Sequence, residues 1–132
     1  MKRASILKLP RITDPRGNLT FLQNQDHVPF DIKRVFWTYD VPGGEQRGGH
    51  AYYKQEEFII ALSGSFDVVV THPDGKQKNY HLNRSYYGLY LPPMTWRHME
   101  NYSTNALSLH LSSHAYDSKD YIRDFNRYAT NA

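Results

Sequence analysis

The chain predicts an all-β fold, an antiparallel double sheet with a short C-terminal helical segment, on three observations. Turn signals recur at short intervals: Asp14-Pro15-Arg16-Gly17, Pro42-Gly43-Gly44, Ser63-Gly64, Pro73-Asp74-Gly75, Asn83-Arg84 and Pro92-Pro93. The segments between them are short and rich in β-branched and aromatic residues, which suit pleated surfaces. Several of these segments alternate with a period of two. A length of 132 residues suits one core, and neither a repeat nor a linker divides it, so residues 1–132 are read as a single domain.

The stretch before Asp14 has no hairpin partner of its own. Edge strands need a partner or protection, so it is expected to pair with another subunit. Strands are expected at 19–23, 32–39, 57–62, 65–71, 77–82, 88–91 and 106–112. In 65–71, Phe66, Val68 and Val70 share one face, and Ser65, Asp67, Val69 and Thr71 the other. In 106–112, Leu107, Leu109 and Leu111 oppose Ser108, His110 and Ser112. His72-Pro73-Asp74-Gly75 reads as a hairpin turn, its glycine free to take positive φ. Ser118 is expected to cap a short helical segment carrying Tyr121, Ile122, Phe125 and Tyr128.

Composition narrows the function. There is no cysteine, which removes disulfides and thiolate metal sites. Net charge is +3 and the pI is near 9.1, with Lys and Arg scattered along the chain. That balance suits a phosphorylated ligand and is not a nucleic-acid footprint. No apolar run reaches membrane-spanning length, and the N-terminus lacks a signal-peptide core, so a soluble cytoplasmic protein is the expectation. Eleven tyrosines among 14% aromatics fit both strand propensity and a lined pocket.

Two stretches carry the chemistry, GEQRGGHAYYKQEEFIIALSG from Gly44 to Gly64 and GLYLPPMTWRHMEN from Gly88 to Asn101. Their spacing resembles the two cupin motifs, and the resemblance implies a cupin, RmlC-like jelly roll. Gly44, His50, Glu57 and Gly64 fall in register with the first motif, and Asn101 with the second. Tyr52 stands where a metal cupin has its second His, and Arg97 where the second motif has its His. Arginine is permanently cationic and cannot ligate a cation. The pocket therefore reads as one that holds an anionic organic substrate and no metal. Asn101 is structural by that resemblance.

A narrower resemblance covers nearly the whole chain in order. Its segments are Asp14-Pro15-Arg16-Gly17-Asn18-Leu19, Pro29-Phe30-Asp31-Ile32-Lys33-Arg34-Val35, Arg47-Gly48-Gly49-His50-Ala51, Leu62-Ser63-Gly64-Ser65, Gly88-Leu89-Tyr90-Leu91-Pro92-Pro93, Trp96, and Tyr116-Asp117-Ser118-Lys119-Asp120-Tyr121-Ile122-Arg123. The ordered set resembles the sugar 3,4-ketoisomerases of the cupin class, the FdtA-like or WxcM-like proteins. The resemblance implies a TDP-linked nucleotide-sugar substrate, a 4-keto to 3-keto shift with no metal or redox cofactor, and a homodimer, here through exchange of the N-terminal strand. It also implies a product destined for amination and surface glycans such as lipopolysaccharide O-antigen. This chain departs from the usual HxHK pocket by reading His50, Tyr52 and Tyr53, and has Glu57 where Gln is usual.

A keto shift needs a base near neutrality, a return acid, and donors to the enediolate oxygen. His50 is the candidate base, because an imidazole titrates near neutral pH. Tyr52 shares its strand face and is the candidate donor or relay. Glu57 is expected to orient His50, accept from a sugar hydroxyl, or pair with Arg97 or Lys54. Arg16, Arg34, Arg47, Lys54 and Arg97 are candidate anion partners, Arg34 and Arg47 foremost. Trp96 is the candidate stacking surface for a base or sugar ring. His98 and His110 are the other tempting rings, but His98 lies one residue past the motif position and faces away. His27, His72, His81 and His114 are read as surface residues. Competing readings are a nucleotide-sugar epimerase, a non-catalytic carbohydrate-binding cupin, and a metal dioxygenase with an incomplete ligand set.

Overall fold

A computed structural model describes residues 3–132. The strands are β1 (Ser5–Lys8), β2 (Arg11–Asp14), β3 (Gly17–Thr20), β4 (Arg34–Thr38), β5 (Arg47–Tyr52), β6 (Glu57–Ser63), β7 (Phe66–Thr71), β8 (Gln77–Leu82), β9 (Tyr87–Leu91), β10 (Trp96–Glu100), β11 (Leu107–Ser112) and β12 (Tyr121–Ile122), followed by helix α1 (Phe125–Asn131). They form two antiparallel five-stranded sheets, ordered β1-β9-β6-β11-β4 and β12-β5-β10-β7-β8, with β2 and β3 as a separate hairpin. The expected antiparallel double sheet is present.

Alternation decides which residues meet between the sheets. Phe66, Val68 and Val70 of β7 point inward and join Ile59, Ala61, Leu82, Leu89, Leu91 and Met99 in one apolar cluster. The reverse face of the first sheet carries Phe58, Ile60, Tyr90 and Leu111, covered by Leu9, Val28 and Phe30. Helix α1 lies on the back of the second sheet, where Tyr128 and Phe125 meet Ala51, Ile122 and Trp96. The 72–75 turn joins β7 to β8, Gly75 N–H donating to the His72 carbonyl at 2.8 Å.

Two local expectations are corrected. The N-terminal stretch does have partners within the chain: β1 pairs with β9, and β2 closes on β3 through the Asp14–Gly17 turn. Ser118 does not cap a continuous helix. Asp117 caps a single 3₁₀ turn by accepting from the Lys119 N–H at 3.0 Å, and the chain then extends into β12 before α1 begins after Asp124. The reason is burial: Ile122 must reach the Ala51 side of β5, which an extended backbone allows.

Two glycines permit close approaches. Gly48 has φ near +79°, beside the register shift where β10 passes β5. Gly88 sits between β1 and β6, and a Cβ there would lie 2.5 Å from Phe58 Cζ and 2.6 Å from the Ile59 carbonyl oxygen. Because the second contact is backbone, the strand itself must move. Gly88→Ala is expected to destabilise the fold by about 1–3 kcal/mol, read as a lower urea midpoint; an unchanged midpoint would show that the sheet accommodates the methyl.

Candidate active site

The inward alternation that packs one end of the sandwich with apolar groups delivers polar ones at the other. Glu57 is two residues before Ile59 on β6, and Arg97 two before Met99 on β10. The face of β11 bearing Ser108, His110 and Ser112 turns inward too, and all three are buried. These strands, with β4, β5 and β12, wall a cavity of about 240 Å³.

Arg97 dominates it. The residue is 1% exposed. Its Nε donates to the Thr95 carbonyl at 3.1 Å and its Nη1 to Glu57 Oε1 at 2.5 Å. Its Nη2 is buried without a hydrogen-bond partner. His50 lies directly opposite across the β5–β10 pairing, and its Nε2 is likewise buried and unpartnered. The His50 ring packs against Tyr52 at 4.7 Å and Tyr121 at 5.1 Å between centroids. The Arg97 guanidinium also lies 5.0 Å over the Tyr52 ring. Glu57's other oxygen accepts from His110 Nδ1 at 2.5 Å, so each carboxylate oxygen already has a protein donor. Glu57 pairs with Arg97 and not with Lys54.

These contacts set the protonation states. Burial, reinforced by the Arg97 charge, holds His50 down at about 3, well below its ordinary 6.5. The expectation of a base titrating near neutrality is therefore corrected for the free protein: the imidazole is neutral and ready to accept, but weakly basic. Burial would raise Glu57, yet the Arg97 charge and the His110 hydrogen bond outweigh it and hold the carboxyl at about 2. Burial and the neighbouring Glu57 charge push the Tyr52 phenol above its ordinary range, so Tyr52 stays protonated and is a donor.

The other sequence candidates divide. Arg47 lines the cavity. Arg34 stands behind it, its Nη2 donating to the Tyr121 hydroxyl at 3.4 Å and its guanidinium lying 4.8 Å over Phe36. Lys54 faces a separate cleft with Tyr116 and Lys119. Trp96 is on the outer face of β10, packed on Phe125 and Tyr128 at 5.4 and 5.8 Å. Arg16 is exposed at the β2–β3 turn and pairs with Asp14 at 2.9 Å. None of these three lines the cavity. His110, one of the two other tempting rings, does, and so do Phe36, Thr38, Tyr121 and Arg123, which were not among the site candidates. The polar face of 106–112 was visible in sequence, but not that it turns inward. His98 faces away as expected and meets Glu100 at 2.8 Å.

The profile of the FdtA family, described as WxcM-like, C-terminal, matches residues 2–132. The chain belongs to the FdtA family. Members and neighbours give this its scale. A TDP-4-oxo-6-deoxy-alpha-D-glucose-3,4-oxoisomerase of Aneurinibacillus thermoaerophilus is 34% identical over 93% of this chain and 88% of its own length. QdtA, a sugar 3,4-ketoisomerase from Thermoanaerobacterium thermosaccharolyticum solved in complex with TDP, superposes with TM-score 0.95 at 35% identity, over 98% of this chain and 94% of its own. WlaRB, a TDP-quinovose 3,4-ketoisomerase from Campylobacter jejuni, gives 0.92 at 38%, over 99% and 100%. A dTDP-4-dehydrorhamnose 3,5-epimerase from Bacillus anthracis, 17% identical with TM-score 0.77 over 89% of this chain and 76% of its own, shares the fold, which supports the cupin jelly roll.

Within this FdtA-family site, the two shifted groups act on stability with one sign. The unfolded chain protonates His50 near 6.5 and the native chain only near 3, so stability is lost as pH falls through that window. Glu57, ordinarily near 4.5 and held at about 2, adds a loss below 4.5. Urea titrations are expected to show stability falling by about 2 kcal/mol between pH 6.5 and 4.5 for the His50 proton, the slope steepening toward about 1.4 kcal/mol per pH unit. His50→Asn should flatten that slope; a slope unchanged by the substitution would remove His50 as its source.

Proposed function

We propose that the protein is a TDP-4-keto-6-deoxyglucose 3,4-ketoisomerase. The observation that carries this is a pair of buried, unpartnered nitrogens, His50 Nε2 and Arg97 Nη2, on two residues that line one cavity from adjacent strands. The family membership, and relatives whose names state this activity, support it.

The chemistry follows from the protonation states. Neutral His50 takes the C3 proton of the 4-keto sugar. The released electron pair forms the C3–C4 double bond, and the C4 carbonyl oxygen becomes an enediolate. Arg97 Nη2 donates to that oxygen where its charge develops. Transfer of the C3 hydroxyl proton to the C4 oxygen, and protonation of C4, then give the 3-keto sugar with no net oxidation. Tyr52, a protonated phenol, is the donor beside His50 and the group through which the C4 proton returns. Arg47 and Arg34 supply cations for the diphosphate, and its negative charge raises the proton affinity of His50 above the weak value of the free site. Glu57 acts on Arg97 and not as a base. Arg16, Lys54 and Trp96 stay candidates for parts of the nucleotide outside the cavity.

No metal or redox cofactor enters this reading, because the donor set does not suit one: both oxygens of Glu57 are engaged and Arg97 holds the position opposite His50. We further propose a homodimer. The hairpin β2–β3 joins neither sheet, and a lone two-stranded hairpin is marginal in water. Ile12 and Leu19 on it, with Val35 and Trp37 on the edge strand β4, are exposed apolar groups that a second copy would cover. A cytoplasmic enzyme whose product is aminated for surface glycans completes the proposal; among the described residues no helix is long and apolar enough to cross a membrane.

The test is proton NMR of TDP-4-keto-6-deoxyglucose with the protein in D₂O. Loss of the C3 proton signal and growth of a 3-keto species are expected, unaffected by chelator, and abolished by His50→Asn; an unchanged spectrum points to a different keto-sugar or a binding role. Sedimentation equilibrium is expected to give a dimer that Trp37→Glu dissociates, and a monomeric wild type would refute the assembly.

A further inference from the structure

His110 is buried to 1% exposure, lines the cavity, and has no part in the proton transfers above. Its surroundings are built to hold it still. The ring stacks on Phe36 at 4.4 Å with 7° between planes. Its Nε2 meets Ser108 Oγ at 2.9 Å, and Ser108 in turn is hydrogen-bonded to the Thr38 hydroxyl. Its Nδ1 reaches Glu57 Oε2. Because the carboxylate is ionised and can only accept, Nδ1 is the donor.

A carboxylate bonded through one oxygen turns freely about its terminal torsion, which is broad and nearly two-fold. A guanidinium tied to it by one nitrogen would turn with it. His110 occupies the second oxygen and removes that freedom, and residues of β4, β6, β10 and β11 become one hydrogen-bonded chain ending at Arg97. We infer that His110 is a positioning residue, which through Glu57 fixes the free Nη2 of Arg97 where the keto-sugar oxygen is to sit. Misplacing such a donor by about 1 Å is enough to cost on the order of 10²-fold in rate.

Three substitutions separate positioning from packing. His110→Phe keeps the ring and its stack on Phe36 and deletes both nitrogens. His110→Asn places an amide N–H close to the position of Nδ1. His110→Gln places one near Nε2, toward Ser108. For His110→Phe and His110→Gln, kcat for TDP-4-keto-6-deoxyglucose is expected to fall on the order of 10²-fold, with TDP affinity unchanged; His110→Asn is expected to recover most of the loss. Wild-type kcat in the Phe variant would overturn the inference. So would a loss that TDP affinity shares and Asn does not relieve, which is the mark of a purely structural role.

The kinetic arm rests on the isomerase reading; a second arm does not. In ¹⁵N NMR, with assignment by Arg97→Lys, the two Nη groups of Arg97 should give separate signals in wild type and His110→Asn, and averaged signals in His110→Phe. Separate signals in all three would refute the positioning role. If the wild type leaves the sugar unchanged, the isomerase reading fails, and these signals alone decide the role of His110.

Discussion

A fully buried guanidinium meeting a fully buried carboxylate, Arg97 on Glu57, is the constraint on which the cavity depends. Removing each ion from water costs several kcal/mol, and their attraction offsets that only when the remaining donors and acceptors are also met. Here Thr95 takes Nε and His110 takes the second carboxylate oxygen. One nitrogen, Nη2, is left over. Buried pairs of this kind rarely raise stability above what packed apolar residues would give, so its value lies in a fixed positive charge at the cavity wall. That charge, together with burial, keeps His50 unprotonated.

The sandwich therefore has two ends with different duties. β6 runs from Glu57 through Ile59 to Ala61, and β10 from Arg97 to Met99, so each strand crosses from the polar end to the apolar one in consecutive inward positions. The apolar end, with Phe66, Val68, Leu82 and Leu89, supplies a dry core against which the strands are fixed. The polar end inherits that rigidity without having to provide it. β11 is the exception, since its inward positions stay polar throughout and its leucines face outward.

Substituting Tyr52 for a second imidazole changes the character of the site more than its shape. A phenol made less acidic by burial beside Glu57 remains a donor, whereas an imidazole can also accept. The rings of Tyr52 and Tyr121 pack 4.7 Å apart, and both lie against the His50 ring. The base thus packs against phenols and lies opposite a guanidinium, and among the described residues no carboxylate hydrogen-bonds to it.

The antiparallel sheet, the 72–75 hairpin and the shared face of Phe66, Val68 and Val70 on β7 were legible in the sequence, because a period of two and a Pro-Asp-Gly turn act through neighbours in the chain; β5 was marked only by its motif. The motif spacing marked His50, Tyr52, Glu57 and Arg97, and the structure brings those four together. Three things depended on the tertiary arrangement. Alternation in 106–112 separates Leu from Ser and His, but only the packing of Leu111 under Val28 and Phe30 turns His110 inward. Trp96 and Arg97 differ by one position, and the helix α1 that covers Trp96 is distant in sequence. The depressed basicity of His50 arises from burial and from a charge 47 residues away in the chain, opposite it across the β5–β10 pairing. Sequence sets which face a side chain shares with its neighbours; what lies against that face, and how much water it excludes, is settled only when the two sheets meet.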